Sequence, residues 1–126
     1  MPWACYGNEI VGADEWDIGT GAQNTLDVIG SCSWPDTPAE ICSVLSVNGY
    51  SDWFLPSKEE LNEMFLNRVA ITATAQANGG NGFITYWYYS STEHDIESAW
   101  PLNFDSGNQT EYNKAISCYI RAVRAF

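Results

Sequence analysis

"GYSDWFLPSKEELNEMFLNR", residues 49–68, is the stretch on which the fold turns. Asp52–Leu55 is short and aromatic-rich, like a strand entering a turn. Ser57 and Glu60 then stand at the spacing of a capping box, in which each side chain satisfies an orphan backbone donor at a helix start. Glu59 and Glu60 suit the positive end of the helix. Leu61, Met64 and Phe65 form the apolar stripe of a helix that faces a core, and such a stripe points to packing rather than to a cofactor.

Upstream, two more helix starts are written. Thr20 and Gln23 have the T-x-x-Q pattern, and Thr37 and Glu40 the T-x-x-E pattern with Pro38 at the first helical position. The first helix is expected to run through Leu26 and Ile29 and to stop at Gly30. The second is expected to bury Ile41, Val44 and Leu45.

Downstream the pattern changes. "ATAQANGGNG", residues 73–82, reads as a Gly/Asn-rich loop, and its glycines lack the context of a phosphate-binding motif. "FITYWYY" (83–89), "AWPLNF" (99–104) and "CYIRAVRAF" (118–126) read as short strands. Between the last two lies "FDSGNQTEYNKAIS" (104–117), too polar for a core strand. Helices followed by a strand-rich half indicate an α+β fold of two or three helices and a small, mostly antiparallel sheet with long loops.

The composition agrees with one domain of 126 residues and one core. Hydrophobic residues make up 45% of it, enough to argue against disorder. With 16 acidic and 5 basic residues the net charge is −11, which argues against nucleic acid and heparin-like partners, since these need a basic patch. The basic residues Lys114, Arg121 and Arg124 read as salt-bridge or core-edge groups. No run is long and apolar enough for membrane insertion, and "MPWACYGNEI" has neither the basic nor the apolar region of a signal peptide. The cysteines Cys5, Cys32, Cys42 and Cys118 form no CxxC pair. Disulfides and buried thiols are both open, and Cys32 with Cys42 would close a short loop.

The residues do not assemble a catalytic centre. His94 is a single histidine among small polar residues, and the common hydrolase and metalloprotease motifs are absent. Asp95, Glu97, Asp105 and Glu111 read as a solvated acidic face, with weak divalent-cation binding as the other reading. The expectation is a protein with no enzyme activity, no cofactor and no metal site. Instead, Tyr86, Trp87, Tyr88, Tyr89, Trp100, Phe104, Tyr112 and Tyr119 interleave with Ser, Asn, Asp, Thr and Gly. This is the composition of antibody paratopes, rigid amphipathic area beside adaptable hydrogen bonding. Trp100, Phe104 and Tyr119 are the expected core members of the set.

"EIVGADEWDIGTGAQNT", "IC", "GYSDWFLPSKEELNEM", "SSTE", "AW", "NF", Lys114 and "YIRAVRAF" together resemble the C-terminal domain of the Legionella collagen-like adhesin family. That family is similar to C-type-lectin-fold proteins, although the EPN and QPD triplets of calcium-dependent lectins are missing here. Some members resemble the variable proteins of diversity-generating retroelements, in which adenines of a template copy are replaced and the 3′ end of a gene is rewritten.

This resemblance implies a reading of the polar stretch. Asn codons randomised at both adenines reach most residue types but never Lys, Glu, Gln, Trp or Met. His94, Asp95, Ile96, Ser98, Pro101, Asn103, Asp105, Ser106, Asn108, Thr110, Tyr112, Asn113, Ala115, Ile116, Ser117 and Cys118 are all reachable and share no chemistry. They alternate with residues of the family framework: Ser90, Ser91, Glu93, Ala99, Trp100, Phe104, Gly107, Lys114, Tyr119, Arg121, Val123 and Arg124. Tyr88 and Tyr89 join the variable set, because the family has Trp before "SSTE". Glu97 and Glu111 fall within the stretch but are not reachable. The implied variable region is about 86–118. Tyr88, Tyr89 and Tyr112 would anchor a ligand, His94, Asp95, Asp105, Ser106, Thr110 and Asn113 would tune specificity, and Trp100, Arg121 and Arg124 would support the sheet. Cys118, as one drawn variant, needs no disulfide partner, which leaves open whether Cys5 is a thiol or paired.

The resemblance therefore implies a ligand-binding domain on a cell or virion surface, with a protein or glycan partner. The competing functions are a glycan-binding adhesin of fixed specificity, against which the charge weighs for sulfated glycans, and a relative of formylglycine-generating oxidases, which need a reactive cysteine pair.

Overall fold

The computed structural model describes residues 2–125. Four helices precede a three-stranded antiparallel sheet, which makes the fold α+β. The helices are α1 (Gly21–Ser31), α2 (Pro38–Val44), α3 (Lys58–Leu66) and α4 (Arg68–Ala77). The strands β1 (Trp87–Glu93), β2 (Ser98–Asn103) and β3 (Tyr112–Asn113) lie side by side in that order.

The start of α3 is as its sequence dictates. Ser57 accepts from the Glu60 amide, and the Glu60 carboxylate accepts from the Ser57 amide at 2.7 Å. Leu61 is fully buried, while Met64 and Phe65 pack at the edge of the same cluster. The other carboxylate oxygen of Glu60 takes the amide of Gly19, so this one side chain also fixes the approach to α1.

The two upstream helices form, but with other faces inward. Thr20 does not cap α1 through its side chain: its hydroxyl donates to the Asp17 carbonyl, and Gln23 bonds Asp27 instead. The helix passes Gly30 and ends at Ser31. Its buried residues are Gly21, Asn24, Thr25 and Val28, whereas Leu26 and Ile29 are exposed. The reason is that α1 packs against backbone as well as side chains. The Asn24 amide donates to the Glu15 carbonyl at 2.7 Å, and Thr25 Oγ1 donates to Gly21 and accepts from Leu55 N. An inward face that must satisfy backbone groups is polar. In α2, Thr37 caps the Glu40 amide, but the Glu40 carboxylate takes the Asp36 amide rather than completing the box. Pro38, Ala39 and Cys42 are buried there and Val44 is exposed.

Helix α4 departs from expectation. Residues 73–77 are helical and the Gly/Asn loop begins only at Asn78. Alanine-rich sequence favours helix without needing an apolar stripe, and no residue of α4 is buried.

The aromatic run reaches further than expected. Strand β1 starts at Trp87 and takes in "SSTE", and nearly all of it is buried despite its hydroxyls. Two of those hydroxyls meet backbone of other segments: Ser90 donates to the Trp100 carbonyl, and Thr92 donates to Glu15 O and accepts from Lys58 N. The register pairs Tyr88 with Leu102 and Tyr89 with Pro101, and shifts between Tyr89 and Glu93. The last segment is bridged rather than paired as a long strand, through Tyr88–Tyr119 in parallel and Phe54–Val123 antiparallel. Phe126, which ends the expected last strand, lies outside the described residues.

Two clusters form the core. One joins Trp3, Ile10, Val28, Tyr89, Ala99 and Cys118, and the other Leu61, Tyr88, Leu102 and Phe104. The pairing that the sequence leaves open is decided here: Cys5 and Cys32 form a disulfide that joins the N-terminal segment to the end of α1. Cys42 remains a buried thiol, so the short Cys32–Cys42 loop is not closed.

Candidate ligand-binding site

The β1–β2 turn and the loop after β3 meet at one end of the sheet, and the β2–β3 loop lies at the other. The β1–β2 turn is fastened by Asp95. Its Oδ1 accepts from the amides of Glu97 and Ser98 and from the Ser98 hydroxyl, each at 2.8 Å, and these bonds hold its carboxyl down at about pKa 2. His94 Nδ1 sits 3.1 Å from the other oxygen of Asp95, and its ring meets the indole of Trp100 edge-on. The β2–β3 loop is shaped by Asn103, whose side-chain oxygen takes the Asp105 amide, and by Gly107. Gly107 has φ +80°, and a Cβ there would lie 2.7 Å from the Phe65 ring, so only glycine fits.

The loop that follows β3 rests on a buried charge. Lys114 Nζ donates to Glu93 Oε2 at 2.6 Å and to the Asn8 carbonyl at 3.0 Å, with both charged side chains almost wholly out of water. The same carboxylate oxygen takes the Ile10 amide, and the ammonium lies 5.0 Å from the Trp3 ring centre. The Lys114 amide and carbonyl bond Glu97 and Trp3. The loop is held from its other side by Tyr89, whose hydroxyl lies within hydrogen-bonding distance of the carbonyls of Asn113 and Ile116.

Between these supports lies a groove of about 600 Å³ lined by Tyr86, Ser117, Cys118, Tyr119 and Ile120. Tyr86 is 52% exposed and Tyr119 47%, and their rings meet edge-on at 5.7 Å. Beside them Trp87 and Tyr112 pack with ring centres 4.7 Å apart, joined to the groove by the Tyr119 amide, which donates to the Trp87 carbonyl. At the groove floor the Cys118 thiol is pushed up to about pKa 11 by burial, and Tyr89 is raised by burial too. Such a surface offers aromatic faces and hydroxyls to a ligand and no activated nucleophile.

Most of the residues expected to vary are exposed, although only Ser117 and Cys118 among them line the groove. His94, Asp95, Ile96, Asp105, Ser106, Asn108, Thr110, Asn113, Ala115, Ile116 and Ser117 are exposed, and Asn103 and Tyr112 are half-buried. Five of the expected contacts are not displayed. Tyr88 is 3% exposed and Tyr89 0%, because β1 is central to both core clusters. Ser98 and Pro101 are buried within β2, and Cys118 beneath the groove. Tyr119 shows the opposite departure: expected in the core, it faces solvent. Tyr86 and Trp87, two residues and one residue ahead of the buried tyrosine pair, carry no contact role in the sequence pattern beyond that position in the aromatic run.

Neither terminal arginine supports the sheet from beneath. Arg121 bonds the Asn81 carbonyl and lies over the Phe83 ring at 4.7 Å. Arg124 grips Asp52 with two nitrogens and stacks on Tyr50 at 3.8 Å, fastening the chain end to the loop before α3. Trp100 does support the turn, as one of two indoles that flank the Lys58 ammonium. Among the described residues, no three acidic, His or Cys side chains gather as a metal site.

The model of the Lcl C-terminal domain family matches residues 15–124. The chain belongs to this family. Read with the resemblance carried by "SDWFLPSKEELN", membership marks a domain of the kind found at the C-terminal end of a collagen-like surface protein. No curated protein matches the chain. No helix among the described residues is long and apolar enough to cross a membrane.

Proposed function

We propose that this Lcl C-terminal family domain is a non-enzymatic ligand-binding module with a C-type lectin-like frame, its binding groove rewritten by a diversity-generating retroelement. The observation that carries the reading is the division of residues 90–118 by burial. Ser90, Ser91, Glu93, Ala99, Phe104 and Lys114, which match the family framework, are buried. The chemically unrelated residues between them, those reachable from adenine-altered Asn codons, are mostly exposed, and Ser117 and Cys118 of them line an aromatic groove. A preorganised frame beneath varied loops limits the ordering entropy lost on binding. Glu97 and Glu111, exposed but unreachable, are fixed positions within the variable stretch.

The cysteines fit a surface location and a binding role. The Cys5–Cys32 disulfide suits an oxidising environment. The Cys42 thiol is pushed up to about pKa 12 by burial, unlike the reactive pair an oxidase of the formylglycine-generating type requires. The test is the DNA beyond the end of the gene. A near-copy of the last third of the coding sequence, with mismatches confined to adenines of the copy and falling on the exposed residues above, is the expected result. A missing copy, or mismatches that ignore adenines, leaves a domain of fixed specificity.

A further inference from the structure

We infer that a second groove, between α4 and the segment leading into β1, binds a small organic monoanion, an apolar body that ends in a carboxylate. The groove has a volume of about 380 Å³, within the range of small-molecule sites, and shares no lining residue with the groove of Tyr86 and Tyr119. Its walls are largely apolar: Val69 and Ala73 come from α4, Phe83 and Ile84 from the incoming segment, and Phe104 from just beyond β2. No residue of the variable set lines it, so its specificity does not change with theirs. The walls are fixed before any ligand arrives. Thr72 Oγ1 accepts from the Phe83 amide at 3.3 Å, and a Cβ at Gly82 would overlap the Thr72 side chain, so residues 82 and 83 are seated directly against α4. The Phe83 ring stacks on the buried Phe104 with centres 4.4 Å apart.

One charged group lines this groove, and it is a cation. Arg68 opens α4. Its Nη1 donates to the Phe65 carbonyl at 3.0 Å, and its guanidinium lies over the Phe65 ring at 4.0 Å. Those contacts hold the head group and leave further N–H donors for a ligand. Arg68 has no acidic partner among the described residues. The same end of α4 is the positive end of the helix, its first turn holds no acidic residue, and Asn67 gives it no side-chain cap. A planar guanidinium matches a carboxylate, and one guanidinium balances one negative charge. A polyanion would instead meet the net charge of −11 carried by the chain. The apolar body of the ligand then covers Val69, 78% exposed, and Ile84, 50% exposed, and removing that surface from water favours binding.

The experiment is a titration of methyl-labelled protein, followed by NMR, with 4-phenylbutyrate and with its neutral counterpart 4-phenylbutanamide. The expected result is that 4-phenylbutyrate, binding in the roughly millimolar range of so small a ligand, shifts the methyl resonances of Val69, Ala73 and Ile84. The amide should bind about tenfold more weakly, the weight of a charge-assisted hydrogen bond. R68Q should lose the same factor, and R68K, which keeps the charge without the planar fork, only part of it. A73F places a ring in the groove from an exposed helix position, so it should remove the shifts while the remaining spectrum shows the fold intact. Acid and amide binding equally well, or acid binding unchanged in R68Q, overturns the inference. So does binding that A73F leaves untouched, or the absence of any shift at these three methyl positions. Shifts confined to Tyr86 and Tyr119 overturn this site and leave the first groove standing.

Discussion

Glu93 and Glu97 stand four residues apart and meet opposite fates. Glu93 is sealed under the β3 loop with Lys114, where each charge has a partner and further hydrogen bonds. Glu97 is exposed in the β1–β2 turn beside residues that share no chemistry. The comparison separates a frame, in which the buried charges are bound to named partners, from a display surface, in which side chains are left to solvent or ligand. Loss of a partner in the frame leaves a buried charge stranded, so its cost is large. Loss of a side chain on the display surface costs little stability and alters only what is bound.

The strongest way to break the comparison is Lys114→Met. It strands the Glu93 carboxylate, and unfolding by denaturant should show a loss of about 3–5 kcal/mol. Adding Glu93→Gln should return much of that loss, because the stranded charge is then gone. A single variant with wild-type stability would mean the pair is not part of the frame. Next is removal of the Cys5–Cys32 disulfide by serine at both positions. It ties residues 27 apart in sequence, and the constraint it places on the unfolded chain is worth about 3–4 kcal/mol. A smaller effect is expected from Ser57→Ala at the capping box, about 1 kcal/mol in the same assay.

On the display surface, Tyr86→Ala and Tyr119→Ala should change stability by less than about 0.5 kcal/mol while removing ligand binding. A large stability loss at either position would move it into the frame. The smallest effect sharpens the boundary between the two regions. Asp95 has a carboxyl pKa lowered to about 2 by the amides and hydroxyl it accepts from. A lowered folded value means its contribution is complete above the ordinary value of 3.8 and is lost as pH falls through about 2. The Glu97 and Ser98 amide resonances should therefore hold steady to pH 4 and move together only in strong acid.

Much of the frame was legible because its signals are local. The Ser57–Glu60 box and the Leu61 stripe are set within one turn of helix, and they came through unchanged. The Thr20 box did not, since its hydroxyl found the Asp17 carbonyl and Gln23 found Asp27. Helix α4 was missed because an alanine-rich segment with no buried residue carries no periodicity to read. At the site, alternation of chemistry along residues 94–117 located the loops, yet it did not distinguish Tyr86 from Tyr88. Both are tyrosines in one aromatic run, and the difference between them is which layer packs over each.

By itself, the sequence determined the α+β class, the family, the start of α3 and the region where exposed diversity lies, because each follows from residue types at short spacing. Only the tertiary structure decided that Cys5 meets Cys32, that Lys114 meets Glu93, that Tyr88 and Tyr89 belong to the core, and that Tyr86 and Tyr119 form the groove. Those outcomes depend on contacts between residues distant in the chain. The free energy of such contacts comes from burial, which no local pattern specifies.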